Sequence, residues 1–300
     1  MAGKMNSMPP PRAPQTSFAM FRFCFCLLFA FLGGCSRHEP VGVVLTYATV
    51  DDAAGIDRQR VLNVVRRRVY PSASVKLLDD GKIEIGVYGN ARADVERVRD
   101  RLAVMGKLEF RIVADDRFDA ELIEIASDPV QTPKEKVFVT ANDGKRKLAG
   151  QWCTVAAEIV DYLRGHVGRR DHEPAGAQVL VLMDAFNVTG ADLASVRPSR
   201  DRSGRPCINF AMSSGGARRF SDLTGSNLPD PSDPSRVRRL AIIFDGELRS
   251  APTLKSRIGD YGEIEGNFTE DEVELLCATL RAGTLPARLE LVSESVVEQQ

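Results

Sequence analysis

The sequence predicts an α+β protein, with a ferredoxin-like (split βαβ) base into which an α+β head subdomain is inserted. Three observations support this prediction. Between residues 41 and 113 the hydrophobic pattern follows the order strand, helix, strand, strand, helix, strand, which is the split βαβ arrangement. The pattern then loosens, and it becomes regular again near the C-terminus. We therefore expect base segments at residues 36–114 and 263–300, a head at residues 115–262, and a signal at residues 1–35.

The first elements of the base follow from hydrophobic periodicity. Val41–Ala48 is an apolar, β-rich run that predicts a buried strand. Asp57 can cap a helix that continues to about Tyr70, where Pro71 ends it. The apolar residues of this helix share one face, so Arg66–Arg68 are expected mainly on its solvated side.

A hairpin, a second helix and a further strand continue the pattern. Val75–Leu78 and Lys82–Tyr88 flank the turn Asp79-Asp80-Gly81, in which glycine can adopt a positive φ. A helix is predicted from about Ala91 to Val104. Lys107–Val113 alternates between apolar and charged residues, as a half-buried strand does.

The remaining elements are predicted one at a time. Thr269-Glu270-Asp271-Glu272 is a capping box that starts a helix, Gly283 ends that helix, and Arg288–Val297 is a strand. The candidate elements of the head are strands at Lys136–Thr140 and Ala177–Asp184, helices at Trp152–Leu163 and Gly215–Leu223, and a hairpin of Arg239–Phe244, Asp245-Gly246 and Glu247–Ser250.

Composition and charge argue against several classes of protein. The chain has 300 residues, of which 43% are hydrophobic and 27% charged, and this is not the composition of a disordered or fibrous chain. Forty basic and 41 acidic residues give a net charge of −1. The arginine-rich segments 197–205 and 236–239 contain no aromatic residue, whereas a single-strand platform uses aromatic rings for stacking. We expect no nucleic acid partner.

The first 35 residues predict an export signal. Phe23–Leu32 is an apolar run of ten residues, whereas a spanning helix needs about 20. Leu32-Gly33-Gly34-Cys35 resembles the bacterial lipobox, in which the cysteine is acylated. We therefore expect lipidation at Cys35 and an N-terminal lipid anchor that holds the domain on a membrane, and Ser36 favours the outer membrane. An ordinary signal or a weak membrane anchor is the alternative.

The cysteines and histidines form no recognisable metal-binding pattern. Cys153, Cys207 and Cys277 remain after the signal, an odd number without close spacing. Cys277 falls on the apolar face of a predicted helix, so we expect it in the core. A Cys153–Cys207 disulfide stays open. No metal is predicted.

Other polar clusters have simpler structural explanations. The carboxylate pairs 51–52, 79–80 and 115–116 are adjacent in sequence, so they cannot converge from a strand, and turns and helix caps are expected. Ser213-Ser214-Gly215-Gly216 lacks the lysine of a phosphate loop and is expected to cap a helix. Asp171-His172-Glu173 is expected in a solvated loop. We predict no enzyme and no cofactor.

Two blocks of sequence carry a resemblance to a known family. The first runs from Val61–Val69, through the strand at 83–87, to Gly106–Arg111. The second runs from Val188–Leu193, through Leu240–Gly246, to Leu280–Ala287. Taken in this order, the blocks resemble the large extracytoplasmic domain of SecD, the protein-export membrane protein of the bacterial Sec system.

The resemblance implies a fold and a role. Domains of this family have a ferredoxin-like base with an inserted head and are thought to contact translocating chains, with head movement coupled to proton flow through the membrane part. A hinge is expected near Ala114 and Ile264–Phe268. The further membrane helices of SecD do not follow before Gln300, so we expect an accessory in Sec-dependent export that binds or guides polypeptide without its own proton-driven motor.

Partners and location follow from the same resemblance. Sec translocon components and unfolded exported polypeptides are the expected partners, on the periplasmic side of the cell envelope. The alternative is a repurposed structural or interaction lipoprotein that docks to another envelope protein.

Overall fold

The regular elements form in nearly the predicted order along the chain. The computed structural model describes residues 42–50, 56–88, 91–128, 135–163, 167–172 and 176–297. The signal and the lipobox with Cys35 lie outside these residues. The α-helices of the described part are α1 (Arg58–Val69), α2 (Ala91–Ala103), α3 (Asp116–Ser127), α4 (Ser214–Gly225) and α5 (Glu270–Ala282).

The strands fall into three sheets. They are β1 (Gly42–Thr49), β2 (Ala73–Leu77), β3 (Ile83–Tyr88), β4 (Leu108–Val113), β5 (Lys136–Thr140), β6 (Arg146–Val155), β7 (Arg169–His172), β8 (Gly176–Leu182), β9 (Val188–Thr189), β10 (Leu193–Arg200), β11 (Pro206–Met212), β12 (Leu240–Phe244), β13 (Glu247–Ser250), β14 (Tyr261–Ile264) and β15 (Leu289–Val297).

The first sheet is antiparallel and has the order β15-β1-β3-β2. Asp57 caps α1 as predicted, accepting a hydrogen bond from the Arg60 N–H. The helices α1 and α2 bury their apolar stripes against this sheet, since Leu45, Val65 and Ile85 are fully buried in one cluster that also includes residues of α2. We call this cluster the first core.

The predicted position of the strand Lys107–Val113 is wrong. We expected it as the fourth strand of the first sheet, but β15 occupies that place beside β1, and β4 pairs with β12 and β8 elsewhere. All six residues of β4 are buried. A strand buried on both faces needs layers on both sides, which an edge position in the first sheet does not provide.

The second sheet contains a closed ring of strands. β6 pairs with both β13 and β8, and β4 pairs with both β12 and β8, so β6, β13, β12, β4 and β8 close on themselves. Val113, Cys153, Val179 and Ile243 belong to one buried cluster supplied by these strands, which we call the ring core. The predicted hairpin of β12 and β13 forms, and its turn residues Asp245 and Gly246 have φ of 50° and 86°.

The other face of β4 packs against the third sheet, β10-β11-β14. Phe110, Phe210 and Phe220 contact one another with ring centroids 5.0–5.9 Å apart. Val273 and Cys277 of α5 join the same cluster, which we call the second core. The predicted capping box of α5 is present at Thr269 and Glu272, and Gly283 ends the helix with φ 92°.

Several head elements differ from the prediction. The helix expected at Trp152–Leu163 is wrong over its first part, because β6 continues to Val155 and only a short 3₁₀ turn follows at Ala157–Ile159. Trp152 and Cys153 are buried as strand residues, so their apolar character reflects the sheet. The helix α3 and the strands β7, β9, β10, β11 and β14 were not predicted.

The buried clusters do not separate at residues 114 and 262. β4 and the inner face of α5 belong to the second core, although both were expected in the base. By its contacts, Pro40–Gln300 is one compact unit, and all four buried clusters lie inside it.

Candidate functional site

The chain passes twice between the first and the second core, and the two passages lie side by side. They are residues 104–107, between α2 and β4, and residues 281–285, at the end of α5. The Leu285 N–H donates to the Met105 carbonyl at 2.9 Å, and the Thr284 hydroxyl donates to the Gly106 carbonyl at 3.1 Å. We call these two segments the crossing.

Arg68 of α1 holds both segments of the crossing. Its Nη1 donates to the carbonyls of Arg101, at 2.7 Å, and Val104. Its Nη2 donates to the carbonyls of Met105, at 2.6 Å, and Gly283, at 3.0 Å. The side chain is 1% exposed. The prediction that Arg68 lies on the solvated side of α1 is therefore wrong, because its guanidinium serves carbonyls at the ends of α2 and α5.

The charge of Arg68 is only weakly compensated. Burial lowers its pKa to about 10, and the carboxylate of Asp245 acts in the opposite direction. Asp245 itself accepts hydrogen bonds from the N–H groups of Gly106, at 3.1 Å, and Lys107, at 2.7 Å. The turn between β12 and β13 thus fixes the crossing from the side of the ring.

A polar cluster lies beside the crossing on β4. Arg111, 2% exposed, donates from Nη2 to Glu109 at 2.9 Å and to Asn187 at 2.7 Å. Its Nη1 is 3.8 Å from a carboxylate oxygen of Asp184. Burial opposes ionisation of Glu109, but the hydrogen bonds and charges of Lys107 and Arg111 leave its pKa below the usual value. This cluster anchors the loop between β8 and β9.

The edge of the first sheet is open at β15. This strand is nine residues long, and β1 is its only neighbour among the described strands. Four apolar side chains along it are between 37% and 56% exposed, namely Leu291, Val292, Val296 and Val297. An edge strand with free backbone groups and exposed apolar side chains is a surface to which an extended chain can add.

The three cysteines of the described part are all buried and free, so the Cys153–Cys207 disulfide that the sequence left open does not form. Burial raises the pKa of Cys153 to about 12 and of Cys277 to about 11. Cys277 lies in the second core, as predicted. Within the described residues, no group of three His, Cys, Asp or Glu side chains is arranged to hold a metal ion.

The other polar residues singled out in the sequence take local structural roles. Asp80 accepts from the Lys82 N–H in the hairpin turn, and Asp115 caps α3. Ser213 caps α4 by accepting from the Gly216 N–H, as predicted. Asp171 pairs with Arg169 at the surface, but Asp171 and His172 lie in β7, paired with β8, so the expected loop is wrong for these two residues. Residues 51–52 and Glu173 lie outside the described residues.

The arginine-rich segment 236–239 has aromatic neighbours that the sequence did not reveal. The guanidinium carbons of Arg236 and Arg238 lie 4.8 and 4.4 Å from the centroid of the Phe118 ring. Phe118 is on α3, the helix that the periodicity missed. Arg238 also pairs with Asp119 at 2.8 Å, so this cluster stabilises the packing of α3 against the segment before β12.

None of the helices within the described ranges has the length and apolar character that crossing a bilayer requires.

Comparisons with known proteins agree with this architecture. Residues 167–287 match the family model of the SecDF P1 head subdomain. Among curated relatives, the protein translocase subunit SecD of Aquifex aeolicus is 28% identical over 72% of this chain and 34% of its own length. SecD of Elusimicrobium minutum is 42% identical over 37% of this chain and 22% of its own length. The chain thus spans about a third or less of these relatives.

The fold is also similar to solved SecDF structures. A SecDF crystal structure in a super-membrane-facing form covers 84% of this chain with a TM-score of 0.56, at 20% identity and over 30% of that structure. A second structure, of a SecDF described as enhancing protein export, covers 83% of this chain and 98% of its own, at 20% identity and a TM-score of 0.53. The likeness to these structures shows a shared α+β fold; the similarity to SecD is carried by the family model and the curated relatives.

Proposed function

On the premise that this chain is a relative of the SecD periplasmic domain, we propose that it is an accessory in Sec-dependent protein export that binds or guides translocating polypeptide. In this proposal the chain is tethered to a membrane through Cys35, on the periplasmic side of the cell envelope. It holds the emerging polypeptide, and other components supply the driving force. The base is the first sheet with α1 and α2, and the head is the part from β4 to β14.

The free edge of β15 carries the polypeptide-binding part of the proposal. An unfolded chain can pair its backbone with this edge, and the apolar side chains of Leu291, Val292 and Val296 give it contacts that do not depend on sequence. This is the property that a partner for many different exported chains needs.

A binding experiment with a permanently unfolded polypeptide tests the proposal. Fluorescence anisotropy measures the affinity of residues 40–300 for reduced, carboxymethylated lactalbumin. Val292→Lys places a charge on the edge, and we expect it to weaken binding by about fivefold or more. Leu228→Lys is the matched control, because Leu228 is also exposed but lies in the segment between α4 and β12, outside the first sheet. No measurable affinity of the wild type, or equal loss in both variants, would refute the proposal.

A pull-down from native membranes tests the partners. Translocon subunits or immature exported chains recovered with the tagged protein support the export role. A single folded envelope protein recovered in their place would favour the interaction lipoprotein instead.

Lipidation at Cys35 has its own test. Mass spectrometry of the N-terminal peptide is expected to show acyl chains on Cys35, and Cys35→Ser is expected to release the protein from the membrane fraction. Cys26→Ser is the control, since Cys26 lies in the apolar part of the signal. If both variants fractionate like the wild type, Cys35 is not the anchor.

A further inference from the structure

A groove lined by five arginines lies beside the crossing. Its volume is about 540 Å³, and its side chains are those of Arg66, Arg67, Arg68, Arg101, Arg281 and Tyr70 together with two alanines. No acidic side chain lines it. This concentration of positive charge is local, because the chain as a whole has a net charge of −1.

Four of these arginines form no ion pair with the described residues. Among the described residues, no carboxylate oxygen lies within 4.0 Å of the guanidinium nitrogens of the four, which are Arg66, Arg67, Arg101 and Arg281. Arg101 donates to the Arg68 carbonyl at 2.9 Å and Arg281 to the Val196 carbonyl at 2.8 Å. These bonds position the side chains and leave their charge uncompensated.

Helix dipoles do not account for the cluster. The arginines come from the last turns of α1, α2 and α5, and a helix C-terminus carries about −0.5 of an elementary charge. Three such ends supply about −1.5 against five positive charges, which leaves an excess of about +3.5. The nearest acid acting on Arg68 is Asp245, whose carboxylate is already bound to the N–H groups of Gly106 and Lys107.

The wall of the groove also contains an unused donor. Arg68 is 1% exposed, and while its Nη1 and Nη2 bind four carbonyls, its Nε–H finds no acceptor among the described residues. A buried donor without a partner costs free energy, and an anion in the groove would supply the negative charge that the arginines lack.

We propose that this groove binds a phosphate group, carried by free inorganic phosphate or by an anionic lipid headgroup. A phosphate has three or four acceptor oxygens and up to two negative charges, and several guanidinium forks can share them in pairs. A single carboxylate offers two oxygens and one negative charge, so it would compensate less of the excess positive charge of the groove. The inference does not depend on the proposed role in export.

Calorimetric titration of residues 40–300 with inorganic phosphate tests the site. The double variant Arg66→Gln, Arg67→Gln removes two exposed arginines of the groove. The control Arg202→Gln, Arg218→Gln removes two exposed arginines elsewhere and changes the net charge equally. We expect saturable binding that weakens by about tenfold or more in the groove variant and stays within about twofold in the control. Added salt should weaken it further.

Vesicles distinguish the two sources of phosphate. Groove-dependent binding to mixed phosphatidylglycerol and phosphatidylcholine vesicles, with none to pure phosphatidylcholine, assigns the site to a lipid headgroup. Binding of inorganic phosphate without binding to these vesicles assigns it to the free anion.

Three results would overturn the inference. The first is the absence of saturable binding to both phosphate and the anionic vesicles. The second is equal weakening in the groove and control variants, which would indicate general charge attraction. The third is tighter groove-dependent binding of a glutamate-rich peptide than of phosphate, which would make the groove a site for acidic polypeptide.

Discussion

Replacing Arg68 by leucine should destabilise the domain more than any other change in the arginine run of α1. The substitution removes four charge-assisted hydrogen bonds, to the carbonyls of Arg101, Val104, Met105 and Gly283. At about 1.5 kcal/mol for each, the loss is about 6 kcal/mol. Removing the buried charge offsets part of this loss. The pKa of Arg68 is lowered from 12.5 to about 10, which means that keeping its charge in the folded protein costs roughly 3 kcal/mol.

The expected net loss is therefore about 3 kcal/mol in the free energy of unfolding, measured by urea denaturation followed by circular dichroism. Arg67→Leu is the control, because Arg67 is exposed, and it should change stability by less than about 0.5 kcal/mol. Arg68→Lys should fall between the two, since an ammonium group cannot span the carbonyls that the planar fork reaches. An Arg68→Leu variant within about 1 kcal/mol of the wild type would show that the crossing does not depend on these bonds.

Two further predictions concern α4 and the cysteines. Gly216→Ala should destabilise by about 2 kcal/mol or more, because its Cβ would lie 2.5 Å from the Asp192 carbonyl oxygen. By contrast, a Cβ at Gly215 would meet only the Arg219 guanidinium, in ordinary contact at 3.8 Å, so Gly215→Ala should stabilise by about 0.5 kcal/mol. Equal effects of the two substitutions in thermal denaturation would contradict this packing. Because burial raises the pKa of Cys153 to about 12 and of Cys277 to about 11, both should resist iodoacetamide at pH 8 until the protein unfolds. Their contribution to stability is complete below pH 9, the ordinary thiol value, and is lost as pH rises through the two raised pKa values; rapid alkylation of the native protein would refute this.

The elements that the sequence predicted well are those with local signals. Asp57 and the Thr269–Glu272 box fix the starts of α1 and α5, and Asp245-Gly246 fixes the hairpin of β12 and β13. Each of these caps and turns depends on residues that are close together in sequence. The element can therefore be predicted without knowing the rest of the fold.

Which strands pair with one another depends on residues far apart in sequence, and the sequence-based prediction of the position of β4 was wrong for this reason. The alternation of β4 is the same whether it pairs with β1 or with β12, so the sequence could not place it. The short stretch Trp152–Val155 is apolar except for Thr154 and is compatible with a helix or a strand; its pairing with β8 makes it a strand. Ala114 and Phe268, near which a hinge is expected, are buried in the cores, and the hinge stays a prediction.

Arg68 is different, because the sequence did contain a signal for it. It lies three residues after Val65, four after Val64 and seven after Val61, all of which are buried, and these are the spacings of one helix face. Arg66 and Arg67 fall off that face and are exposed. A charged residue at a core position of an amphipathic helix indicates a buried partner set, and here the partners are the unsatisfied carbonyls at the ends of two other helices. The helix face on which each arginine lies therefore decides its role. Arg68, on the buried face, binds the carbonyls between the two cores, whereas Arg66 and Arg67, on the exposed side, contribute their charge to the groove.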